Sequence, residues 1–214
     1  DWSGPRPVAR SLFAACASLD TAAARQALGE ASRHGLVLAL LALRDKTNFT
    51  PLLAAANGCG AEASSSVRSL ELVELLLDFG ADAAACTPSR KTVAHLVCRS
   101  QLLAAEDVAE AQQQLERVLR RVWSKTGDQP DDSGSTPLLE AAYRGQTATC
   151  KHLLKLGSNA AARNNRGDSA LHLAVMGNKA GVIELLLRDK TLQLSDTNAK
   201  GLDAVQLARS CNHM

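Results

Sequence analysis

The stretch Thr136-Pro137-Leu138-Leu139-Glu140-Ala141 decides the fold, because variants of it recur along the chain. The last three copies begin at residues 136, 169 and 203, at intervals of 33 and 34 residues. The two preceding intervals are 42 and 44 residues long. A period of about 33 residues is typical of stacked repeats, and the longer intervals indicate insertions of about ten residues. The other copies are Thr50-Pro51-Leu52-Leu53-Ala54-Ala55, Thr92-Val93-Ala94-His95-Leu96-Val97, Ser169-Ala170-Leu171-His172-Leu173-Ala174 and the degenerate Asp203-Ala204-Val205-Gln206-Leu207-Ala208.

Each copy has the features of a short helix followed by a second one. Threonine or serine is a favourable N-cap, and proline at the first helical position loses only an N–H group that was already unpaired. Leu52, Ala55 and Ala56 then form a narrow apolar stripe along the first helix. A single pair of helices cannot bury such a face, so the copies are expected to stack. Leucine-rich second helices are expected around residues 72–77, 152–156 and 182–187.

This pattern resembles the ankyrin repeat, in which a T-P-L-H-x-A motif is followed by a second helix, and the resemblance covers nearly the whole chain. It implies an all-α solenoid of stacked helix-turn-helix units with hairpin loops between them. We expect one domain over residues 1–214. Its parts are an N-terminal capping repeat (1–44), repeats at 45–85, 86–130, 131–163 and 164–196, and a partial C-terminal repeat (197–214).

Four segments depart from the repeat pattern. The apolar residues 36–43 predict an additional turn or short helix. The Gly/Ala/Ser-rich residues 57–66 predict a mobile surface loop. Residues 106–122 predict an unusually long helix, and residues 124–132 an acidic loop after it, in which Asp131 and Asp132 form a solvated hairpin tip. One face of the long helix is expected to carry Leu115, Val118, Leu119 and Val122.

The composition agrees with this fold and excludes several classes of protein. Aromatic residues make up only 3% of the chain, so an all-β fold is disfavoured, and alanine and leucine supply the apolar residues instead. A net charge of +2 is far below that of a dedicated nucleic-acid binder. No apolar run is long enough to span a bilayer. The six cysteines form no C-x-x-C pair, which favours reduced thiols and a cytoplasmic or nuclear location over a disulfide framework. The start of the chain lacks Met and predicts an excised fragment of a larger protein.

No residue pattern predicts catalysis, a cofactor or a metal. His95 and His172 fall at the histidine of the ankyrin motif, so the resemblance implies that their rings hydrogen-bond backbone between adjacent hairpins. Cys150 and His152 lie two residues apart on a helix, which does not place them on one face. The phosphate-binding, dinucleotide-binding and nucleophile-elbow motifs are missing from the sequence. We therefore predict that the chain is not an enzyme.

The resemblance implies that partners meet the hairpin tips and the exposed ends of the first helices. Tyr143, with Arg144 beside it, is of the residue types that most often anchor interfaces, although a packed helix residue is the alternative role for Tyr143. The tips are largely basic, which favours an acidic or polar partner segment, and merely solvated hairpin ends are the alternative. The predicted partner-binding residues are Arg90, Lys91, Arg99, Tyr143, Arg144, Asn165, Arg166 and Met176.

The function predicted from these observations is a protein–protein interaction module that acts as an adaptor or targeting domain. The alternative is an intramolecular regulatory domain that packs on a linked enzyme or channel. Nucleic acid and membrane insertion are not expected, and the oligomeric state is left open.

Overall fold

Pairs of helices joined by hairpins make up the protein, as the repeat pattern predicts. The structure, a computed structural model, describes residues 5–58, 63–99, 108–188 and 195–211. Within these ranges it contains twelve α-helices and no β-strand, so the predicted all-α fold is confirmed. The chain divides into two compact units, Asp1–Thr126 and Gly127–Met214, called here the first and the second unit. The repeat boundaries and the single domain remain predictions.

In the first unit, the helices form two rows. The first helices of successive repeats pack side by side, α1 on α4 and α4 on α6, and the second helices do the same, α2 on α5 and α5 on α7. The additional helix α3 packs on α2. The helices are α1 (Pro5–Ser18), α2 (Thr21–Arg33), α3 (Val37–Leu41), α4 (Pro51–Asn57), α5 (Ala63–Asp78), α6 (Val93–Val97) and α7 (Val108–Thr126).

The second unit repeats this arrangement. Its first helices α8, α10 and α12 pack in one row, and α9 packs on α11 in the other. Alanines on the first helices, such as Ala141, Ala142 and Ala174, are fully buried, which lets neighbouring first helices approach closely. The helices are α8 (Pro137–Arg144), α9 (Thr147–Lys155), α10 (Ala170–Met176), α11 (Ala180–Leu187) and α12 (Ala204–Ser210).

The first helices begin at the expected N-caps. The hydroxyl oxygen of Thr136 accepts a hydrogen bond from the backbone N–H of Leu139. Ser169 forms a capping box with His172, whose Nδ1 lies 2.8 Å from the serine Oγ, while Nε2 of the same ring lies 3.1 Å from the carbonyl oxygen of Leu202 in the next hairpin. His95 is buried and forms the corresponding capping box in the first unit. Both histidines are therefore structural, as predicted.

A single side-chain oxygen closes the turn of each hairpin. Oδ1 of Asp45 accepts hydrogen bonds from the hydroxyl and the backbone N–H of Thr47 and from the N–H of Phe49. Oδ1 of Asp131 makes the same three contacts with Ser133 and Ser135. The corresponding acceptors in the other hairpins are Thr87, Asn164 and Asn198.

Consecutive hairpins of the second unit are tied together through backbone groups. The N–H of Asn165 donates to the carbonyl of Ser133, and the N–H of Ala199 donates to that of Arg166, both at 2.9 Å. Arg163 extends this pairing, because one of its Nη atoms lies 3.1 Å from the Gly167 carbonyl and 2.8 Å from the Thr197 carbonyl. In the first unit, Arg44 makes the equivalent bridge between the carbonyls of Asn48 and Cys86.

The irregular segments were predicted with mixed success. Residues 36–43 contain α3, as expected. The expected mobile loop at 57–66 was wrong in extent, because Asn57 belongs to α4 and residues 63–66 belong to α5; residues 59–62 lie outside the described part of the chain. The apolar face of the long helix is buried as predicted.

The predictions for the end of the long helix and for the solvation of Asp131 were also wrong. The helix runs on to Thr126, since the buried Thr126 hydroxyl donates to the Val122 carbonyl and extends the packed face, so the expected loop begins later than residue 124. Asp131 does form a hairpin turn, but it is buried rather than solvated. Its three hydrogen bonds compensate for the loss of water.

Two glycines have the same backbone conformation but differ in how closely the next hairpin approaches them. Gly167 and Gly201 both have left-handed φ values, of 73° and 72°. A Cβ atom on Gly167 would lie 2.7 Å from the backbone nitrogen of Ala199, whereas one on Gly201 would meet nothing within 4 Å. We expect Gly201→Ala to lower the free energy of unfolding by about 1 kcal/mol and Gly167→Ala by at least about 1 kcal/mol more. Urea denaturation measures both, and equal losses would contradict the hairpin contact.

Asp45 makes the stability dependent on pH. Burial would raise the pKa of this carboxyl group, but the hydrogen bonds from Thr47 and Phe49 outweigh it and hold the pKa below its ordinary value. The stabilisation is therefore present above the pKa of the unfolded chain and is lost as the pH falls through the lower pKa of the folded chain. Asp45→Asn keeps the Oδ1 acceptor, as Asn164 and Asn198 do, but removes the charge.

We expect the free energy of unfolding of the wild type to exceed that of Asp45→Asn at neutral pH. This difference should shrink as the pH approaches about 3. Urea titrations of both chains at several pH values measure it. A difference that stays constant with pH would show that the charge of Asp45 contributes nothing to the turn.

Candidate protein-binding surface

The second unit contains a slot in which several of the predicted partner-binding residues converge. It lies between the first helices α8 and α10 and the hairpin that joins their repeats, and its volume is about 200 Å³. We call it the Tyr143 slot. Its lining consists of Ser135, Leu139, Glu140, Tyr143, Asn164, Arg166, Leu173 and Met176.

The repeat register places the apolar side chains of this slot. Tyr143 and Met176 stand at the same position of consecutive repeats, the last or next-to-last residue of α8 and α10. Leu139 and Leu173 are buried below them. Tyr143 is 48% exposed, so part of its side chain is packed and part is available to a partner. This combination is typical of an aromatic anchor at an interface.

A chain of polar contacts fixes Arg166 at the slot. Its Nε lies 3.2 Å from Oδ2 of Asp168, which is buried, and Oδ1 of Asp168 accepts a hydrogen bond from the side chain of Asn198 at 2.9 Å. The backbone N–H of Arg166 donates to Oδ1 of Asn164. The arginine side chain is nevertheless 68% exposed. Its guanidinium group is thus held in place while it stays open to solvent.

Arg144 and Asn165 lie near the slot without lining it. Nε of Arg144 pairs with Oε1 of Glu140 at 3.1 Å, one turn earlier on α8. Ion pairs of this spacing on a helix contribute only about 0.3–0.5 kcal/mol. The side-chain amide of Asn165 donates to the carbonyl of Asp132 and therefore already joins two hairpins. Both residues remain predictions as partner contacts.

The other three predicted residues belong to the first unit. Arg90 is exposed at the tip of the hairpin after α5, with a left-handed φ of 59°, and Lys91 follows it half-buried. Arg99, just after α6, occupies the register position of Tyr143. Its Nε is buried and makes no hydrogen bond within the described part of the chain. These positions also remain predictions.

Sequence reasoning missed five of the eight residues that line the slot. Ser135, Leu139, Glu140 and Leu173 were not selected, because the motif assigns their positions to the cap and the buried face of the first helix, and in the hairpin Asn165 was selected instead of its neighbour Asn164. Leu173 and Glu140 share one register position, three residues before Met176 and Tyr143. That spacing on a helix was the signal that could have found them.

The first unit has a wider slot at the same register, with a volume of about 520 Å³. We call it the Phe49 slot. It lies between the ends of α1 and α4 and the hairpin at residues 45–49. Its lining consists of Cys16, Ala17, Leu19, Asp45, Thr47, Phe49, Ala54, Asn57 and Gly58.

Among the described residues, no three His, Cys, Asp or Glu side chains come together to hold a metal ion. The cysteines of this part of the chain form no disulfide with one another, and Cys59 lies outside it. Burial raises the pKa of the Cys16 thiol to about 12, and that of Cys150 also to about 12 despite an opposing backbone hydrogen bond. No helix among the described residues has the length and apolar character needed to cross a membrane.

Comparison with known proteins gives family matches over much of the chain. A family model described as "Ankyrin repeat" matches residues 47–88, and one described as "Ankyrin repeats (3 copies)" matches residues 103–200. The human protein transient receptor potential cation channel subfamily A member 1 is 33% identical over 106 residues, which are 49% of this chain and 10% of that protein. The "Probable palmitoyltransferase AKR2" of Saccharomyces uvarum is 43% identical over 61 residues, 28% of this chain and 8% of that protein. The matches thus span about a tenth or less of these relatives.

The buried thiols predict selective chemical labelling. At about pH 8, thiols with a pKa of about 12 carry almost no thiolate, and Cys16 and Cys150 are also closed to solvent. We expect iodoacetamide to label the half-exposed Cys86 and Cys211 in the native chain, and Cys16 and Cys150 only after unfolding in urea. Peptide mass spectrometry measures the rates. Fast native labelling of Cys16 or Cys150 would disagree with the packing.

Proposed function

The chain belongs to the ankyrin repeat family, whose repeats generally mediate protein–protein interaction, and from this premise we propose that it binds a segment of a partner protein through the Tyr143 slot and the adjoining hairpin tips. It would act as an adaptor or targeting module, with any catalytic activity residing in the partner or elsewhere in a larger protein. We assign no catalytic residue and no cofactor to the chain itself.

The observation that carries the proposal is that the half-exposed Tyr143 lines the slot together with two buried leucines. An anchor side chain contributes most when it is partly preorganised in the free protein and becomes fully desolvated in the complex. Tyr143 meets the first condition, because its neighbours Leu139 and Leu173 are already packed. Met176 adds an unbranched, adaptable side chain on the opposite wall of the slot.

Arg166 supports an acidic or polar partner segment. Asp168 occupies its Nε, and its two Nη groups make no hydrogen bond to any described residue. These groups form the accessible donor edge of the slot, whereas the side chain of Glu140 is only 14% exposed and is paired with Arg144. A carboxylate of the partner would accept hydrogen bonds from this edge, contributing to orientation and association rate more than to affinity.

We also infer an intracellular setting, the cytoplasm or the nucleus. The support is the use of Cys16, Cys98 and Cys150 as small buried core residues, which suits a reducing compartment.

The second candidate function is that of an intramolecular regulatory domain. Its support is that the relatives are named as a cation channel and a palmitoyltransferase, and that the matched stretch is a minor part of each. In such a protein the Tyr143 slot would receive a segment of the same chain. This candidate predicts that no separate partner is recovered by the isolated chain.

Replacing the anchor tests the proposal. We expect Tyr143→Ala combined with Arg144→Ala to weaken partner binding by more than about 2 kcal/mol, because the anchor and its flanking charge are both lost. The fold should remain, since both side chains are exposed. Affinity purification from cell lysate with wild-type and variant chains, read by mass spectrometry, identifies the partner. Calorimetry with the purified partner then measures the loss.

A matched control uses two exposed residues of α9 that do not line the slot, Lys151→Ala with Lys155→Ala. This variant should bind like the wild type. A partner that binds all three chains equally would move the interface away from the Tyr143 slot. Recovery of no partner by any chain would favour the intramolecular function.

A further inference from the structure

The Phe49 slot of the first unit differs from the Tyr143 slot in size and in charge. Tyr143, Leu173 and Arg166 have smaller counterparts in the first unit, in Ala17, Ala54 and Thr47 respectively. These exchanges accompany a change in volume from about 200 to about 520 Å³.

One charged residue lines the Phe49 slot. All three hydrogen bonds to the Asp45 carboxylate go to its Oδ1, and Oδ2 makes none within the described residues. The neighbouring Arg44 is committed to the carbonyls of Asn48 and Cys86. Neither Arg44 nor Lys46 lines the slot. The slot therefore contains a carboxylate oxygen whose position is fixed by the turn. None of the residues that line the slot is basic.

The remaining lining suits the stem of a long side chain. Ala17, Leu19 and Ala54 present aliphatic surface, and Phe49, whose backbone N–H donates to the Asp45 carboxylate, adds an aromatic ring. A lysine or arginine side chain buries its methylene groups on such surface while its charged head meets a carboxylate or the face of a ring. A purely apolar side chain would leave the carboxylate facing it without a partner.

Leu19, which lines this slot, has a strained backbone conformation. Its φ of 54° is left-handed, at the register position where the second unit has Gly145 and Asn178. Leucine seldom adopts this conformation, because its Cβ atom comes too close to the following carbonyl oxygen. Its side chain is held against Gly58, since a Cβ atom there would lie 2.7 Å from Cδ2 of Leu19. The strained residue thus forms a wall between the ends of α1 and α4.

We propose that the Phe49 slot binds a lysine or arginine side chain presented by an extended segment of a partner protein, with Asp45 accepting from the charged head and Ala17, Leu19 and Ala54 covering the stem. This site is separate from the Tyr143 slot and requires a chemically different residue of a partner. It therefore does not rest on the proposed function, and the two can fail independently.

A displayed library of random peptides provides the probe. The library is first cleared on the Ala17→Tyr chain and then selected on the wild-type chain. Tyrosine is tolerated at this register, as Tyr143 shows, and it would fill the slot. Clearing on this variant removes peptides that bind elsewhere, including those that use the Tyr143 slot. The peptides that remain depend on the Phe49 slot.

The selected peptides are then measured on two carboxylate variants. Asp45→Asn keeps the turn-closing Oδ1 and removes the charge at the slot, and Asp131→Asn makes the same change in a hairpin that does not line it. We expect enrichment of lysine or arginine at one position, and a loss of affinity of about fivefold or more with Asp45→Asn. Affinity should be unchanged with Asp131→Asn.

Three outcomes would overturn the proposal. An empty selection would show that the slot binds no segment at all. Selected peptides without a basic residue, or with equal affinity for wild type and Asp45→Asn, would show that another chemistry fills it. An equal loss with Asp131→Asn would assign the effect to turn stability. None of these outcomes bears on the proposal for the Tyr143 slot, which the Tyr143/Arg144 variant tests separately.

Discussion

The rest of the structure depends on the side-chain oxygen that closes each hairpin. In four of the hairpins this is the Oδ1 of Asp45, Asp131, Asn164 or Asn198, which accepts two or three hydrogen bonds from residues two and four positions later. The bonds fix the tip without a partner strand. A fixed tip leaves its outward carbonyl groups in place for the next hairpin, as the contacts of Asn165 and Ala199 show. Stacking of the helices then follows from local turn chemistry.

The same constraint places the slots. Because the turn and the N-cap set where each first helix starts, the residue after its buried alanines always emerges at the same point. In the second unit that residue is Tyr143 or Met176, and in the first it is Ala17, Asn57 or Arg99. Nothing in the packing of the helices restricts this position to one residue type. It is therefore free to carry binding chemistry, and the neighbouring hairpin supplies the second wall.

Much of the fold could be predicted from the sequence because the repeat phase is local. The Thr-Pro starts, the two histidines and the leucine-rich second helices lie where the pattern placed them. The prediction was wrong where tertiary packing extends an element, as in α7, whose last turn is stabilised by the buried Thr126. It was also wrong about solvation at Asp131, because a sequence shows that aspartate favours turns but not that its side chain is buried there.

The site was predictable in position and less so in composition. Tyr143, Arg166 and Met176 could be selected because register alone brings them to the exposed ends and tips. The role of Asp168 and Asn198 in positioning Arg166 could not be predicted, because these two residues are 30 positions apart in the chain and meet only when two hairpins stack. Nor does the sequence show that the corresponding slot of the first unit has the larger volume. The volume of a slot depends on residues from two helices and a hairpin, and only the three-dimensional structure shows which of these residues line it together.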